Sequence, residues 1–292
     1  MQLWTQVAGK VRLKLTPPVN HWWNVTFYVH ARGLIAPANP YAGGTFDIDF
    51  DLLGHELRIV TSDGRIEAFA LRPMAVADFY AEFMGGLRQL GIDVHIWTMP
   101  SEIENATPFE QDRAHAQYDP EYVTRFHRAM VQAARVMTVF RARFIGKASP
   151  VHFFWGSFDL AVTRFSGRRA PRHPGGMPHL SDAVACEAYS HEESSAGFWP
   201  GSGAIDYPAF YSYAYPEPEG FRSRRVQPEA AFFHEALGEF ILPYDAVRNA
   251  TDPDQTLLAF LQSTYEAAAV TAKWDRDALE CAPGKPGVVR AV

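Results

Sequence analysis

The first half of the chain alternates apolar and polar residues in short blocks, with the period of two that is typical of half-buried strands. Strands are predicted for five such blocks: residues 11–15, 23–32, 45–51, 57–61 and 65–70. Between the last two blocks, Asp63-Gly64 is a strong hairpin signal because both residues tolerate positive φ. A further short strand is predicted at 92–97, so this part of the chain indicates an antiparallel meander.

Apolar residues spaced three and four apart predict three long helices. They span residues 73–90, 120–146 and 253–273. The second and third begin with Asp119-Pro120 and Asp252-Pro253, in which an aspartate N-cap precedes a proline at the first helical position. We interpret the second helix as the link between two parts of the chain.

Two stretches of the chain resemble each other, which predicts an internal duplication. Residues 150–165 repeat the pattern of residues 18–32 when His152 is placed on His21, and an aromatic pair follows each histidine. The second copy is predicted as one strand from His152 to Thr163. Further strands are predicted at 207–215, 230–233 and 239–242, of which the last two are predicted to form a hairpin.

We therefore predict an α+β fold of two pseudo-repeated halves, each an antiparallel β-sheet packed against a helix, linked by the long central helix. The predicted segments are a first half at 1–98, a connector with the linking helix at 99–146, a second half at 147–275 and a disordered tail at 276–292. The tail is rich in proline and glycine, which disfavours a packed core.

Composition and charge exclude several classes of protein. A net charge of −6 argues against binding to nucleic acid, which requires a basic face. No apolar run approaches roughly 18 residues, so no membrane association is expected. The N-terminus lacks the features of a signal peptide, and two cysteines make a disulfide framework unexpected, so we expect a cytoplasmic protein. The sequence carries no signal for an oligomeric state.

The segment 187–201 is too polar for a core strand and too aromatic for a solvated loop. His191 and Glu192 are candidates for an acid–base pair or for metal ligands, since imidazole and carboxylate serve both purposes. Glu187 and His152 are further candidate ligands of a divalent metal, although no recognised zinc spacing is present. The alternative is an ordered surface loop that its aromatic residues pin to the body.

Asp159 is the third candidate catalytic residue. Alternation along the predicted strand places His152 on its covered side, and Trp155 and Asp159 on the other. A buried carboxylate needs a partner, so Asp159 is expected to contact Arg164, a backbone donor or a metal. Since a histidine also stands at the equivalent position 21, a structural role is favoured for His152.

Substrate binding is predicted to involve one arginine and an aromatic wall. Arginine presents a planar fork suited to carboxylate or phosphate, which indicates an anionic small molecule. The predicted substrate-binding residues are Arg164, Trp155, Phe198, Trp199 and Tyr213. The alternatives are a solvated arginine-rich loop at 164–173 and a packed sheet face of tyrosines.

Several sequence motifs are absent. The chain has no Gly-x-Gly-x-x-Gly turn and no Walker phosphate loop, so no nucleotide cofactor is expected. It has no Gly-x-Ser-x-Gly elbow, so Ser194-Ser195 does not indicate a serine hydrolase. The only cofactor that the residues indicate is a divalent metal.

Nearly the whole chain, from Trp4 to about Trp274, resembles a bacterial family catalogued as a domain of unknown function. The stretches that carry the resemblance are Ser149–Arg168, Tyr189–Glu192 with Ser194–Gly201, Phe260–Glu266 and Pro17–Trp23. The resemblance implies no activity, so the candidate residues depend on their own chemistry.

These observations favour an enzyme of small-molecule metabolism with an aromatic-walled pocket. In this hypothesis His191 and Glu192 transfer protons or bind a metal, Asp159 orients or ligates, and Arg164 binds an anionic group of the substrate. One alternative is a non-catalytic protein that binds or senses a small molecule. Another is a component of a protein assembly, which would expose Phe198 and Trp199 as a patch.

Overall fold

The structure is a computed structural model that describes residues 1–290. Within these residues the chain forms seven α-helices and two antiparallel sheets, which confirms the predicted α+β class. The helices are α1 Gln2–Leu15, α2 Val76–Gln89, α3 Pro120–Arg141, α4 Asp182–Ala188, α5 Tyr244–Arg248, α6 Pro253–Thr271 and α7 Arg276–Leu279. No helix of this part of the chain is both long enough and apolar enough to cross a bilayer.

The first sheet is an antiparallel meander in the order β1-β2-β3-β4-β5. Its strands are β1 Tyr28–His30, β2 Gly33–Tyr41, β3 Gly44–Asp51, β4 Glu56–Thr61 and β5 Ile66–Ala70. The predicted hairpin is confirmed, since Val60 pairs with Ile66 across a turn in which Gly64 has a φ of 89°.

The second sheet has the order β10-β11-β9-β8-β7-β6. Its strands are β6 His152–Phe154, β7 Asp159–Arg169, β8 His191–Trp199, β9 Ala209–Tyr215, β10 Phe232–His234 and β11 Glu239–Pro243. Strand β8 pairs with both β7 and β9, and helix α6 packs against β8 and β9. The predicted hairpin of β10 and β11 is confirmed by the pairing of Phe233 with Phe240.

The chain divides into two compact units. Unit 1 comprises residues 1–131, 153–158 and 174–188, and unit 2 comprises residues 132–152, 159–173 and the chain from 189 onward. Both units are discontinuous along the chain, whereas the predicted halves are continuous. The pseudo-repeat stays a prediction, and its best-matched stretches differ locally: residues 20–22 form a 3-10 helix and residues 152–154 a strand.

The predicted strand at 11–15 is wrong, because these residues complete helix α1. Trp4, Val7, Ala8 and Val11 are buried, and their spacing is that of a helix face. Five residues of alternation were too short a window to separate the two periods. In unit 1, Trp4 stacks on Phe79 of α2 with ring centroids 4.9 Å apart.

Two other strands of unit 1 differ from their predictions. Of the predicted strand at 23–32, only the three residues of β1 form a strand. The next strand, β2, was not predicted and contains Pro37 and Pro40. A register shift between Ala36 and Asn39 accommodates this strand in the sheet. The predicted strand at 92–97 is an irregular segment, in which Ile92 and Val94 enter the core without strand pairing.

The predicted strand at 152–163 is interrupted. A turn at 155–158, where Phe158 has a φ of 61°, separates β6 from β7. Alternation cannot be carried across such a turn, so the predicted sidedness of Trp155 and Asp159 does not hold. Trp155 belongs to unit 1 and Asp159 to unit 2.

The segment 191–199 was judged too polar for a core strand and is instead the inner strand β8. Its polar residues Glu193, Ser194 and Ser195 are buried. The Ser195 hydroxyl is 2.9 Å from that of Thr163 on β7, so neighbouring strands supply partners for polar groups that would be costly to bury alone.

The last part of unit 2 contains the helix α6 and the short helix α7. Helix α6 has the predicted cap, since the Asp252 carboxylate accepts a hydrogen bond of 3.0 Å from the Gln255 amide. Within the predicted tail, Arg276–Leu279 is helical, and Tyr265 donates a hydrogen bond to Glu280. Residues 291 and 292 of that tail lie outside the described residues.

Candidate functional site

One face of the second sheet collects tyrosine, carboxyl and hydroxyl side chains within unit 2. Strand pairing and alternation bring them to the same side of β11, β9, β8 and β7. This surface, called the tyrosine face below, consists of Glu239, Ile241, Tyr211, Tyr213, Glu193, Ser195, Gly197, Trp199, Asp159, Ala161 and Thr163. Its carboxyls are those of Asp159, Glu193 and Glu239, and at the end near Glu193 the Lys147 ammonium lies 5.0 Å from the Phe165 ring centroid.

Tyr211 and Asp159 are joined on this face by a short hydrogen bond, which the Tyr211 hydroxyl donates to Oδ2 of Asp159. Strand β8 runs between them, and its residue at the crossing is Gly197. A Cβ at Gly197 would overlap the end of the Tyr211 ring. The missing side chain therefore lets the ring cross β8 and supply a donor to a carboxylate that is only 6% exposed.

Glu239 is a second carboxyl group close enough to Asp159 to feel its charge. Burial, and then the negative charge of Asp159, raise the pKa of Glu239 to about 7. A carboxyl with that pKa can both hold and release a proton near neutral pH, whereas an ordinary glutamate is fully ionised there. Burial and the same aspartate raise the pKa of Tyr211 well above its usual value, so its hydroxyl stays protonated.

His234 lies beside Glu239 in the hairpin of β10 and β11. The two residues are direct cross-strand partners, so they share a face. Nδ1 of His234 accepts a hydrogen bond of 3.3 Å from the Leu237 amide, which leaves Nε2 as the protonated nitrogen of the neutral ring. Both side chains are half-buried, so the tyrosine face reaches solvent at this edge.

Aromatic rings line the tyrosine face beside the carboxyls. The hydroxyls of Tyr189 and Tyr213 are 3.3 Å apart, and His173 stacks on Tyr189 with centroids separated by 4.5 Å. Burial, followed by the influence of Tyr189, raises the pKa of Tyr213 well above its usual value. Trp199 packs against the apolar part of the face around Tyr211.

Together these groups can perform proton transfer. Glu239 exchanges a proton near neutral pH, Asp159 supplies a fixed negative charge through its bond to Tyr211, and His234 offers an imidazole beside Glu239. Two acidic groups in different environments are the usual arrangement for general acid–base chemistry.

A family model described as a family of unknown function (DUF5996) matches residues 1–281 of the chain. The chain belongs to this family. Nothing among the curated proteins, and nothing among the solved structures, is similar enough to count as a match. Membership of DUF5996 assigns no activity, so the residues of the site carry the functional argument.

The structure does not bring His191 and Glu192 together. They are consecutive residues of β8, so their side chains leave opposite faces of the sheet. The Glu192 carboxylate pairs with Arg168 at 2.6 Å, and Arg168 also donates to the Ala272 carbonyl at the end of α6. Glu192 thus anchors strands to a helix end instead of forming an acid–base pair.

His191 and the other candidate metal ligands are separate from one another. His191 lies 3.1 Å from the Ser190 hydroxyl, and burial, Lys147 and Arg169 lower its pKa. Glu187 is exposed on α4 in unit 1.

His152 is buried in β6, and burial followed by the charge of Arg141 lowers its pKa to about 3. Within residues 1–290, no group of three or more histidine, cysteine, aspartate or glutamate residues is arranged to hold a metal ion. The predicted ligand set therefore does not form a common centre.

Arg164 occupies the interior of unit 2 and not an anion site. It is 1% exposed, its guanidinium lies 3.5 Å from the Phe140 ring centroid and 4.4 Å from that of Tyr265, and it donates to the Phe140 carbonyl. Burial lowers its pKa to about 10. Strand alternation also places Arg164 on the face opposite to Thr163 and the tyrosine face.

The four aromatic residues predicted to wall one pocket lie in three different places in the structure. Trp199 and Tyr213 lie on the tyrosine face. Phe198 lies on the opposite face, packed 5.2 Å from Phe210. Trp155 is buried in unit 1, where its indole donates a hydrogen bond of 2.9 Å to the Val25 carbonyl.

Sequence reasoning missed Glu239 and His234, and treated Tyr211 first as part of a packed sheet face and only second as part of a ligand wall. A partial signal was present, because the predicted hairpin of 230–233 and 239–242 began its second strand at Glu239 and ended its first strand one residue before His234. The link from this hairpin to Asp159 required the order of the strands, which a single sequence does not contain.

Proposed function

We propose that the chain is an enzyme that acts on a small molecule at the tyrosine face by general acid–base catalysis. The observation that carries the proposal is that Glu239, buried and close enough to Asp159 to feel its charge, has its pKa raised to about 7. Glu239 is the proton-transfer group, and His234 is the second proton carrier. Asp159 is held by Tyr211 and orients the substrate or stabilises positive charge.

The substrate class differs from the anionic molecule that the sequence suggested. Arg164 lies on the opposite face, and Asp159 and Glu239 place two carboxyls at one end of the tyrosine face. Tyrosine and histidine rings with nearby carboxylates suit a polar substrate that is neutral or positively charged. Trp199 and Tyr213 retain their proposed role as walls for this substrate.

Two alternatives remain distinguishable. A binding or sensing protein would use the rings of His173, Tyr189 and Tyr213 without changing its ligand. An assembly component is less well supported, because Phe198 is 1% exposed and forms no surface patch with Trp199. A cytoplasmic location stays a prediction.

The test is incubation of the purified full-length protein with a mixture of small polar metabolites, followed by mass spectrometry of the mixture over time. We expect the wild type to consume at least one compound and to form a product. Glu239→Gln should slow this conversion by roughly 100-fold or more, as expected for loss of a proton-transfer group.

Glu235→Gln is the matched control, because Glu235 belongs to the same hairpin and pairs on the surface with Arg222 at 2.8 Å. It should convert the substrate at the wild-type rate. Compounds that bind to the wild type and remain unchanged would support the binding alternative. Equal conversion by Glu239→Gln and wild type would overturn the acid–base proposal.

A further inference from the structure

Unit 1 contains a lysine and a serine in direct contact, 91 positions apart in the sequence. The Lys10 ammonium lies 3.0 Å from Oγ of Ser101, and the two residues are 5% and 4% exposed. Lys10 is on helix α1, and Ser101 is in the irregular segment that follows α2. This contact is separate from the tyrosine face, which lies in unit 2.

Gln6 holds Ser101 in place. It precedes Lys10 by four residues on the same face of α1, and its amide makes two hydrogen bonds to the Ser101 backbone. Oε1 accepts from the Ser101 amide at 2.8 Å, and Nε2 donates to the Ser101 carbonyl at 3.0 Å. Because one helix face supplies both the clamp and the lysine, the Lys10–Ser101 geometry is organised before any ligand arrives.

Lys10 is buried without an acidic partner. No carboxylate of residues 1–290 forms an ion pair with it, and burial lowers its pKa to about 8. About a tenth of the lysine is therefore neutral at pH 7, and about half at pH 8. A neutral amine at this position can accept a proton from the Ser101 hydroxyl across the same 3.0 Å.

Trp97 forms the outer wall of this contact. Its ring centroid lies 4.8 Å from the Lys10 nitrogen, yet 61% of the side chain is exposed. Trp97 is therefore one of the side chains that separate Lys10 from solvent. A small reactant would reach Lys10 and Ser101 only after a local movement, and Trp97, as an exposed side chain in contact with Lys10, is the candidate for it.

We propose that Ser101 and Lys10 form a nucleophile–base dyad that accepts an acyl group from a small ester. Ser–Lys pairs are one of the known variants of the serine nucleophile with its base. The proposal is independent of the function proposed for the tyrosine face. It assigns to unit 1 a covalent activity in which the residues of unit 2 take no part.

The reaction follows from the geometry. Oγ of Ser101 forms a bond to the carbonyl carbon while its proton passes to the neutral Lys10 amine. The bond from that carbon to the alcohol oxygen then breaks, and the Lys10 ammonium returns the proton to this oxygen. Water attacks the acyl ester in the same way, which releases the carboxylic acid and restores both residues.

The test uses phenylmethylsulfonyl fluoride, a small reagent that sulfonylates activated serines with loss of fluoride. Full-length wild type should gain one sulfonyl group, located at Ser101 by peptide mapping. The rate should rise between pH 7 and pH 9 as Lys10 loses its proton. Ser101→Ala should gain none, and Lys10→Met should react roughly 100-fold more slowly.

Lys14→Met is the matched control, since Lys14 is exposed one turn further along the same helix. It should react like the wild type. Ser101→Cys gives a second measurement, because its thiol should be alkylated by iodoacetamide faster with Lys10 present than with Met at position 10. The proposal is overturned by an unlabelled wild type at pH 9, by labelling that persists in Ser101→Ala, or by an unchanged rate in Lys10→Met.

Discussion

The ring of Tyr211 lies across Gly197, on the strand between β9 and β7, and so reaches the carboxylate of Asp159. Tyr211 and Asp159 are 52 positions apart, and they can form this hydrogen bond because Gly197, which lies between them, has no side chain. The bond supplies a donor to a buried carboxylate and brings the charge of Asp159 within reach of Glu239. The proposed acid–base site therefore depends on a glycine that takes no part in the chemistry.

Gly197→Ala should destabilise unit 2. The added Cβ would overlap the Tyr211 ring and the Leu160 carbonyl, which is backbone and cannot rotate away. We expect a decrease of about 1–3 kcal/mol in the free energy of unfolding in urea. Gly85→Ala is the control, since a Cβ at that helical position meets no atom closer than 3.9 Å. Equal stability of Gly197→Ala and wild type would contradict the packing described for Tyr211.

Tyr211→Phe should leave the Asp159 carboxylate without this donor. Loss of a hydrogen bond to a buried charged acceptor is expected to lower the free energy of unfolding by about 1–3 kcal/mol at pH 7. Tyr207→Phe is the comparison, because that side chain is 37% exposed and its hydroxyl has no hydrogen bond in residues 1–290. A loss of similar size in both variants would show that the Tyr211 hydroxyl has no special role.

The stability of the wild type should fall relative to Glu239→Gln as pH rises from about 5 to 8. The folded-state pKa of Glu239 is about 7, above the value of 4.5 expected for the unfolded chain. The folded state therefore binds more protons in this window, and raising the pH favours unfolding. We expect a relative change of about 1–3 kcal/mol, measured by urea unfolding at several pH values. Parallel pH profiles would show that the pKa of Glu239 is not raised.

Arg164→Lys should destabilise the protein without affecting the tyrosine face. The flat guanidinium stacks on Phe140 and Tyr265, and an ammonium cannot reproduce that contact. We expect a loss of about 2 kcal/mol in thermal or urea unfolding. Arg224→Lys should have no effect, because Arg224 is exposed and forms no ion pair within the described chain. A stable Arg164→Lys variant with altered ligand binding would instead restore the anion-binding interpretation of Arg164.

Lys10→Met should stabilise the protein at neutral pH. The folded-state pKa of Lys10 is about 8, below the value of 10.5 for the unfolded chain, so ionised Lys10 disfavours folding below pH 8. We expect a gain of about 1–3 kcal/mol at pH 7 that shrinks as the pH rises toward 10.5. Lys14→Met should change stability little. A loss of stability in Lys10→Met would mean that the buried amine is well compensated and would weaken its role as a base.

The parts of the fold that could be predicted are those whose determinants are local. The α6 cap needs only Asp252 and the amide of Gln255, three residues away. The turn at Asp63-Gly64 needs only residues that tolerate positive φ. Helix α2 and strands β3 to β5 likewise followed from periodicity within one segment.

Predictions failed where a short pattern served two structures or where distant strands supplied the partners. Residues 11–15 alternate like a strand, yet the helix is set by apolar residues that begin at Trp4. Strand β8 looked too polar for a core because its polar side chains find their partners on distant segments. The hydroxyl partner of Ser195, for example, is Thr163, which lies 32 residues earlier. The pairing of His191 with Glu192 failed for a simpler reason, since neighbours on a strand face opposite ways.

The amino-acid sequence by itself determined the α+β class, the three helices α2, α3 and α6, the aspartate cap of α6 and two hairpins, because these depend on contacts within a few residues. It also singled out Asp159, Trp199 and Tyr213. Only the tertiary structure decided which residues stand beside them, because the order of strands sets which side chains share a face. Tertiary packing also decided the contact of Lys10 with Ser101, because it joins helix α1 to a segment that lies far from it in the chain.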